Sequence, residues 1–297
     1  MIMKIYYALP AAAISAILLL SGCNAGDKNA NQGASVNNAA TVNNTANSAA
    51  ASNSNEDDFK QAIDQYREYV IQQCDAFVTE TAKFTAAMKD GDLETAKSLY
   101  APARMYYERI EPIAEALGDL DPNIDARDGD VDSSEWRGFH KLEQALWENN
   151  TTAGQEDIAD QLLSDAKLLR AKVETVDIDA SLLVTGAVEL LNEVSTSKVT
   201  GEEERYSHTD LYDFAANVEG AKKIYELLEP QLKAKDAELS KNISERFSAL
   251  EQELAPFKQG DGYVSYEQLQ DQDVRKLSQN LDALAEPLSQ MGTLLGV

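Results

Sequence analysis

The chain has 297 residues, with 26 Lys and Arg against 51 Asp and Glu and a formal net charge of −25 at pH 7. A surface of that sign excludes nucleic acid and anionic lipid headgroups as partners and concentrates cations near the protein. With 2 cysteines, 2 histidines and no run of phosphate-cradling glycines, thiol, disulfide and nucleotide chemistry have little to build on.

Met1-Ile2-Met3-Lys4 supplies one positive charge ahead of an apolar run from Ile5 to Leu20, interrupted by Pro10 and Ser15. That run is shorter than the roughly 20 residues needed to span a bilayer, and a charged start with a small-residue exit marks a secretory signal peptide over 1–22. The exit Leu20-Ser21-Gly22-Cys23 resembles the lipobox of bacterial lipoproteins, in which the Cys receives lipid and becomes the first mature residue. Cys23 is therefore the expected lipidation site, and the mature protein is expected to be exported, periplasmic or cell-surface, and anchored rather than spanning. Asn24, where an Asp often signals inner-membrane retention, points toward the outer membrane in a cell that has one. Residues 23–55 are almost entirely Asn, Ala, Ser, Thr and Gly, and are expected to form a disordered, lipid-anchored linker with a span of roughly 30 Å.

A helical domain is expected over 56–297. Phe59, Ile63, Tyr66, Val70, Cys74, Phe77, Thr81, Phe84 and Met88 follow three- and four-residue steps, one face of a long amphipathic helix. Cys74 lies on that stripe and reads as a buried structural thiol. Gly91 ends the helix and Asp92 caps the next, expected over Leu93 to Leu117, with Pro102 and Pro112 kinking or dividing it. Residues 118–132 read as an acidic, solvated loop. Asp121, Asn123 and Asp125 alternate there as in a calcium loop, but Ala126 stands where Gly is needed and Asp132 where a Glu is needed. Ser133 or Ser134 then opens a helix carrying Trp136, Phe139, Leu142, Leu146 and Trp147. Further helices are expected at about 155–176, 180–196, 209–235, 236–257 and 266–294, with capping boxes at Ser207–Asp210 and Ser265–Gln268. No period-two alternation predicts a sheet. The fold class is all-α, with helices joined by short loops into two packed bundles. The segment 103–112 is echoed at 221–230, both reading Ala-basic-x-x-Tyr-Glu-x-aliphatic-Glu-Pro.

His140 and Glu143 are spaced i, i+3 and so share one helix face, the arrangement bundle metal sites use with carboxylates from facing helices. Glu108 and Glu111, with Glu115 one turn on, are the natural donors to complete such a site, and Tyr106 or Tyr107 could add a phenolate. Carboxylates plus one imidazole suit iron, manganese or zinc. The same spacing also serves a solvated ion pair, and the echo at 225–230 offers a structural role for Glu108 and Glu111. His208 and Asp210 make a candidate second site, for which a helix cap is the plainer explanation.

Taken together, several stretches resemble the EfeO/EfeM group of the imelysin-like (peptidase M75-like) family. They are Ala101-Pro102-Ala103-Arg104, Tyr107-Glu108-Arg109-Ile110-Glu111-Pro112, Asp119-Leu120-Asp121-Pro122 with Ile124-Asp125-Ala126-Arg127, and Gly138-Phe139-His140-Lys141-Leu142-Glu143. Gly201-Glu202-Glu203, Tyr206-Ser207-His208-Thr209-Asp210 and Ala216-Asn217-Val218-Glu219-Gly220 follow in order. The resemblance implies two four-helix bundles, a metal site at His140 and Glu143, and a non-enzymatic role in ferrous or ferric iron uptake. Zinc and copper are alternative ions. The implied partners are a membrane iron permease and a haem peroxidase-like protein. Some EfeO proteins carry an N-terminal cupredoxin domain, and the low-complexity linker here matches the shorter EfeM type instead. A metallopeptidase with Glu143 as general base is the alternative, although the His-Glu-x-x-His helix is missing. A scaffold with no metal is the third reading.

Overall fold

The computed structural model describes the backbone of residues 44–196 and 198–297 and, Glu115 aside, the side chains from Phe59 onward. The signal peptide, Cys23 and the linker as far as residue 43 lie outside the described residues. Helix α1 runs Asn44–Asp90, beginning inside the segment expected as linker. No Gly or Pro interrupts 44–90, so a helix nucleated on the apolar stripe can propagate backwards through Ala-containing sequence. The stripe itself is buried at Phe59, Tyr66, Val70, Cys74, Phe77, Thr81, Phe84 and Met88, with Ile63 half-buried. Burial pushes the Cys74 thiol up to about 12, in keeping with an inert core residue.

Asp92 caps α2 (Leu93–Glu108) by accepting from Thr95 N at 3.1 Å. The expected continuous helix to Leu117 is divided, and α3 is Glu111–Glu115. Pro112 has no N–H to offer the Glu108 carbonyl, which accepts instead from Asn217 Nδ2 at 2.8 Å. Pro102 is accommodated within α2. At this corner an added Cβ on Gly220 would meet the Arg109 carbonyl oxygen at 2.5 Å, so only glycine permits the approach.

The acidic stretch 118–132 is not simply a solvated loop. Leu120 and Ile124, four residues apart, are buried and seat a short helix, α4 (Leu120–Asp125), whose inner face carries Asp121 and Asp125. The helix expected from Ser133 or Ser134 starts later, as α5 (Phe139–Trp147). Gly138 holds φ at +93°, outside helical geometry, and a Cβ there would lie 2.3 Å from Ile124 O. Helix α6 (Glu156–Lys172) closes this half: Arg170 pairs with Asp75 of α1 at 2.5 Å, and Arg67 Nη1 donates to Val173 O at 3.2 Å. Between these helices Phe77, Phe84, Tyr100, Tyr107 and Phe139 form an aromatic cluster, with Phe84 and Phe139 stacked at 5.6 Å.

The other half is a four-helix bundle of α7 (Ala180–Thr196), α8 (Asp210–Lys235), α9 (Ala237–Leu254) and α10 (Asp271–Leu295). Within it α7 packs on α8 and α10, and α9 packs on α10 and α8, while α2 lies along α8 and joins the halves. Short 3-10 turns at Ala255–Phe257 and Tyr266–Gln268 trim the ends expected of the last two helices. A two-residue hairpin, Lys258–Gln259 with Gly262–Tyr263, is the strand content among the described residues. No helix among them is long and apolar enough to cross a membrane.

Candidate metal centre

Arg104 is fully buried at the junction of the two halves. A cation there requires counter-charge, because burying it unpaired would cost far more than the fold can spare. Carboxylates from four segments supply that charge. Nη2 lies 2.6 Å from Glu108 Oε1, and Nε lies 2.6 Å from Glu204 Oε1 and 3.3 Å from Asp213 Oδ1. Nη1 pairs with Asp125 Oδ1 of α4, and Glu203 stands 3.9 Å from Nη2. The guanidinium carbon also sits 5.9 Å and 5.6 Å from the ring centres of Tyr100 and Phe139.

His140, on the first turn of α5, shares Asp125 and Glu203 with Arg104 and adds Glu143. Its Nδ1 is 3.2 Å from Glu143 Oε2, and its Nε2 is 3.6 Å from Asp125 Oδ1 and 3.7 Å from Glu203 Oε1. The ring is buried, and Nε2 has no hydrogen-bond partner. Two groups have ligand atoms close enough to surround one cation, namely Asp125, His140 and Glu203, and His140, Glu143 and Glu204.

Burial and the nearby Arg104 push the His140 pKa down, but the carboxylates Glu143, Glu203 and Asp125 outweigh them and raise it to about 9. Burial raises Glu204 and Asp213 well above the carboxylate range despite Arg104, and raises Asp125. Glu143 and Glu203 are held low against their burial, Glu143 by its hydrogen bond with His140 and Glu203 by Lys198 and His140. The cluster is thus short of positive charge, and an entering cation would relieve the desolvated carboxylates.

A cavity of about 240 Å³ opens onto this cluster. It is bordered by Glu111, Asp121, Asp125, Asp130, Glu193 and Glu203. Arg127 stands on its rim with Nη1 2.7 Å from Glu203 Oε2 and Nε 3.2 Å from Asp130. Two of the carboxylates beside the orphaned imidazole nitrogen, Asp125 and Glu203, therefore line an open, carboxylate-walled cavity.

The family model for imelysin (peptidase M75) matches residues 62–291. The chain belongs to the imelysin family. An Efem/EfeO family lipoprotein of Staphylococcus haemolyticus (strain JCSC1435) is 45% identical to this chain over 295 residues, covering 96% of this chain and 98% of its own length. Another of the same description, from Staphylococcus aureus (strain NCTC 8325 / PS 47), is 48% identical over 246 residues, 80% of this chain and 86% of its own. The likeness places the chain with the EfeM/EfeO family lipoproteins.

The residues expected at the site divide between two neighbouring clusters. His140 and Glu143 share one face of α5, as the spacing required. Glu108 and Glu111 are buried but turned to a different cation: Lys198 Nζ lies 2.7 Å from Glu108 Oε2 and 3.1 Å from Glu111 Oε2, and Asn217 Nδ2 donates to both. With Lys198 they form an ion cluster beside the two groups that contain His140. Tyr107 donates its hydroxyl to Asp121, and Tyr106 packs under Arg109 at 5.3 Å.

The candidate second site does not assemble. Asp210 is buried and accepts from Glu204 N at 3.1 Å, while His208 is half-exposed at φ +57° and has Glu267 at 3.9 Å as its nearby carboxylate. Nor does Ser207 cap α8, since Thr209 is the N-cap and Ser207 Oγ donates to Glu204 Oε2 at 3.1 Å. Sequence reasoning missed Asp125, Glu203, Glu204 and Arg104. For Asp125, Glu203 and Arg104 the signal was their place in the motifs Ile124-Asp125-Ala126-Arg127, Gly201-Glu202-Glu203 and Ala101-Pro102-Ala103-Arg104, while Glu204 stands just outside them.

Proposed function

We propose that this protein captures an iron ion outside the cytoplasmic membrane, at His140 and the carboxylates around it, and hands it to a membrane permease. The observation that carries this reading is the buried, unpartnered Nε2 of His140, set beside Asp125 and Glu203, two carboxylates that line an open acidic cavity. One imidazole among carboxylates is a donor set for hard or borderline cations, ferrous and ferric iron included, with zinc and copper as competitors. The excess of acidic residues steers such ions toward the protein. The resemblance to EfeO/EfeM proteins supplies the choice of iron, the permease and the haem peroxidase-like partner. Lipid on Cys23 would keep the protein on the membrane where a permease works, with residues 24–43 between the anchor and α1.

Capture without turnover suits the site better than peptide hydrolysis. A general base needs a free lone pair directed at a metal-bound water. Both oxygens of Glu143 are engaged, Oε1 with the N–H groups of Tyr206 and Ser207 and Oε2 with His140.

The test is complementation of a deletion strain under iron limitation, reading cellular iron. The wild-type chain is expected to restore accumulation, and the His140→Ala and Cys23→Ala variants are expected to fail. Full restoration by His140→Ala would remove this site from iron delivery.

A further inference from the structure

We propose that Glu143, the carboxylate of the His-x-x-Glu pair, is a positioning residue and not a ligand: it fixes His140 from Nδ1, and the cation is taken by Nε2 with Asp125 and Glu203. This rests on the capture reading above and decides which face of the imidazole does the work.

An ionised carboxylate offers about four lone-pair positions, and three of those on Glu143 are occupied. Oε1 accepts from Tyr206 N at 3.0 Å and Ser207 N at 2.7 Å, and Oε2 lies 3.2 Å from His140 Nδ1. The side chain is fully buried. Turning Oε1 toward a metal would strand two backbone N–H groups, each costing as much as a lost buried hydrogen bond. The segment they belong to is itself tied back to α5, where Gln144 Nε2 donates to the Tyr206 hydroxyl at 3.3 Å.

The two sides of the ring differ in the distances they show. The 3.2 Å from Nδ1 to Glu143 is at hydrogen-bond length, and the Tyr100 hydroxyl crowds the same nitrogen at 3.5 Å. The 3.6 Å and 3.7 Å from Nε2 to Asp125 and Glu203 are too long for hydrogen bonds. They match the separation of about 3.4 Å between two ligand atoms that each sit roughly 2.1 Å from a shared cation in tetrahedral geometry. Access agrees, because Asp125 and Glu203 border the open cavity and Glu143 does not. A ligating imidazole that donates its other N–H to a carboxylate is how metal sites commonly fix tautomer and ring orientation.

The deciding experiment is nitrogen NMR of the full chain in detergent with ¹⁵N-labelled histidine, titrated with zinc as a diamagnetic probe. The chain holds 2 histidines, so the variant His208→Asn assigns both. Zinc is expected to convert Nε2 of His140 to a metal-bound nitrogen while Nδ1 keeps its proton. Glu143→Gln should weaken zinc binding by about 10- to 100-fold, the usual range for a residue that orients a ligand, with Nε2 still metallated. Glu203→Gln and Asp125→Asn should cost more. Metallation of Nδ1 with a protonated Nε2 would overturn the assignment, as would a Glu143→Gln loss equal to that of Glu203→Gln. Zinc that perturbs neither nitrogen would instead overturn the capture reading, and the positioning role with it.

Discussion

Arg127 Nη1 lies 2.7 Å from Glu203 Oε2, so a side chain on the cavity rim holds one oxygen of a carboxylate whose other oxygen faces His140. Arg127 is about one-quarter exposed and also pairs with Asp130, which is exposed. It is a tethered cation at the entrance of a cation site. An entering ion must share Glu203 with it or displace it.

Arg127→Gln is therefore expected to tighten metal binding by about 2- to 5-fold, the value of an ion pair worth up to about 1 kcal/mol. Association should also quicken as the cavity becomes more negative. Stopped-flow and titration calorimetry read both quantities. Weaker binding in the variant would show that Arg127 supports the site by positioning Glu203.

Arg104 has the opposite role. It is fully buried and in contact with Glu108, Asp125, Glu204 and Asp213, so removing it takes from Glu204 and Asp213 their paired cation. Arg104→Met should destabilise the fold by on the order of 3–5 kcal/mol, with partial recovery at pH 5 as the stranded carboxylates take up protons. Thermal melts at pH 7.5 and pH 5 measure this. A loss under about 1 kcal/mol at pH 7.5 would mean the cluster repacks without its guanidinium.

The metal-free protein should be most stable in mildly acid solution. Burial holds Asp121 and Asp210 up at about 6, above the roughly 3.9 of an unfolded Asp. Their ionisation therefore opposes folding, fully above pH 6, and that penalty fades as pH falls toward 4. His140, raised to about 9, contributes stability that is complete below about 6.5 and is lost as pH rises through 9. Both effects lower the melting temperature between about pH 5.5 and 9. Below that window Glu143 and Glu203, held low in the folded state, withdraw their contribution as they protonate. Saturating zinc should add a stabilisation that grows with pH, since its ligands must lose protons. A metal-free melting temperature that climbs from pH 5.5 to 8 would contradict the assignment of these buried charges.

What could be read from the sequence followed local rules. The α1 stripe needed only helical periodicity, and the Asp92 cap needed only its neighbour Thr95. Pro112 announced a break that the structure places after Glu108. The misreadings share a physical cause. Residues 118–132 looked solvated because their aspartates mask the Leu120 and Ile124 pair that seats α4. Ser133 and Ser134 resembled helix caps, but Gly138, held at positive φ against Ile124, delays α5 until Phe139. Glu108 and Glu111 face inward as expected, but nothing local announced that Lys198, whose burial is set by pairing across the fold, lies against both. Arg104 and Lys198 could not be recognised as buried from the sequence, because a core cation and a surface cation are spelled alike until their distant carboxylates are known.

The central claim is that His140 anchors a cation site, and isothermal titration of the full chain with ferrous, ferric and zinc ions tests it most directly, beside His140→Ala. Saturable binding by the wild type that disappears in His140→Ala, while both proteins keep the same helical circular dichroism, is the expected result. Equal binding by the two proteins would contradict it and leave only diffuse attraction to the acidic surface.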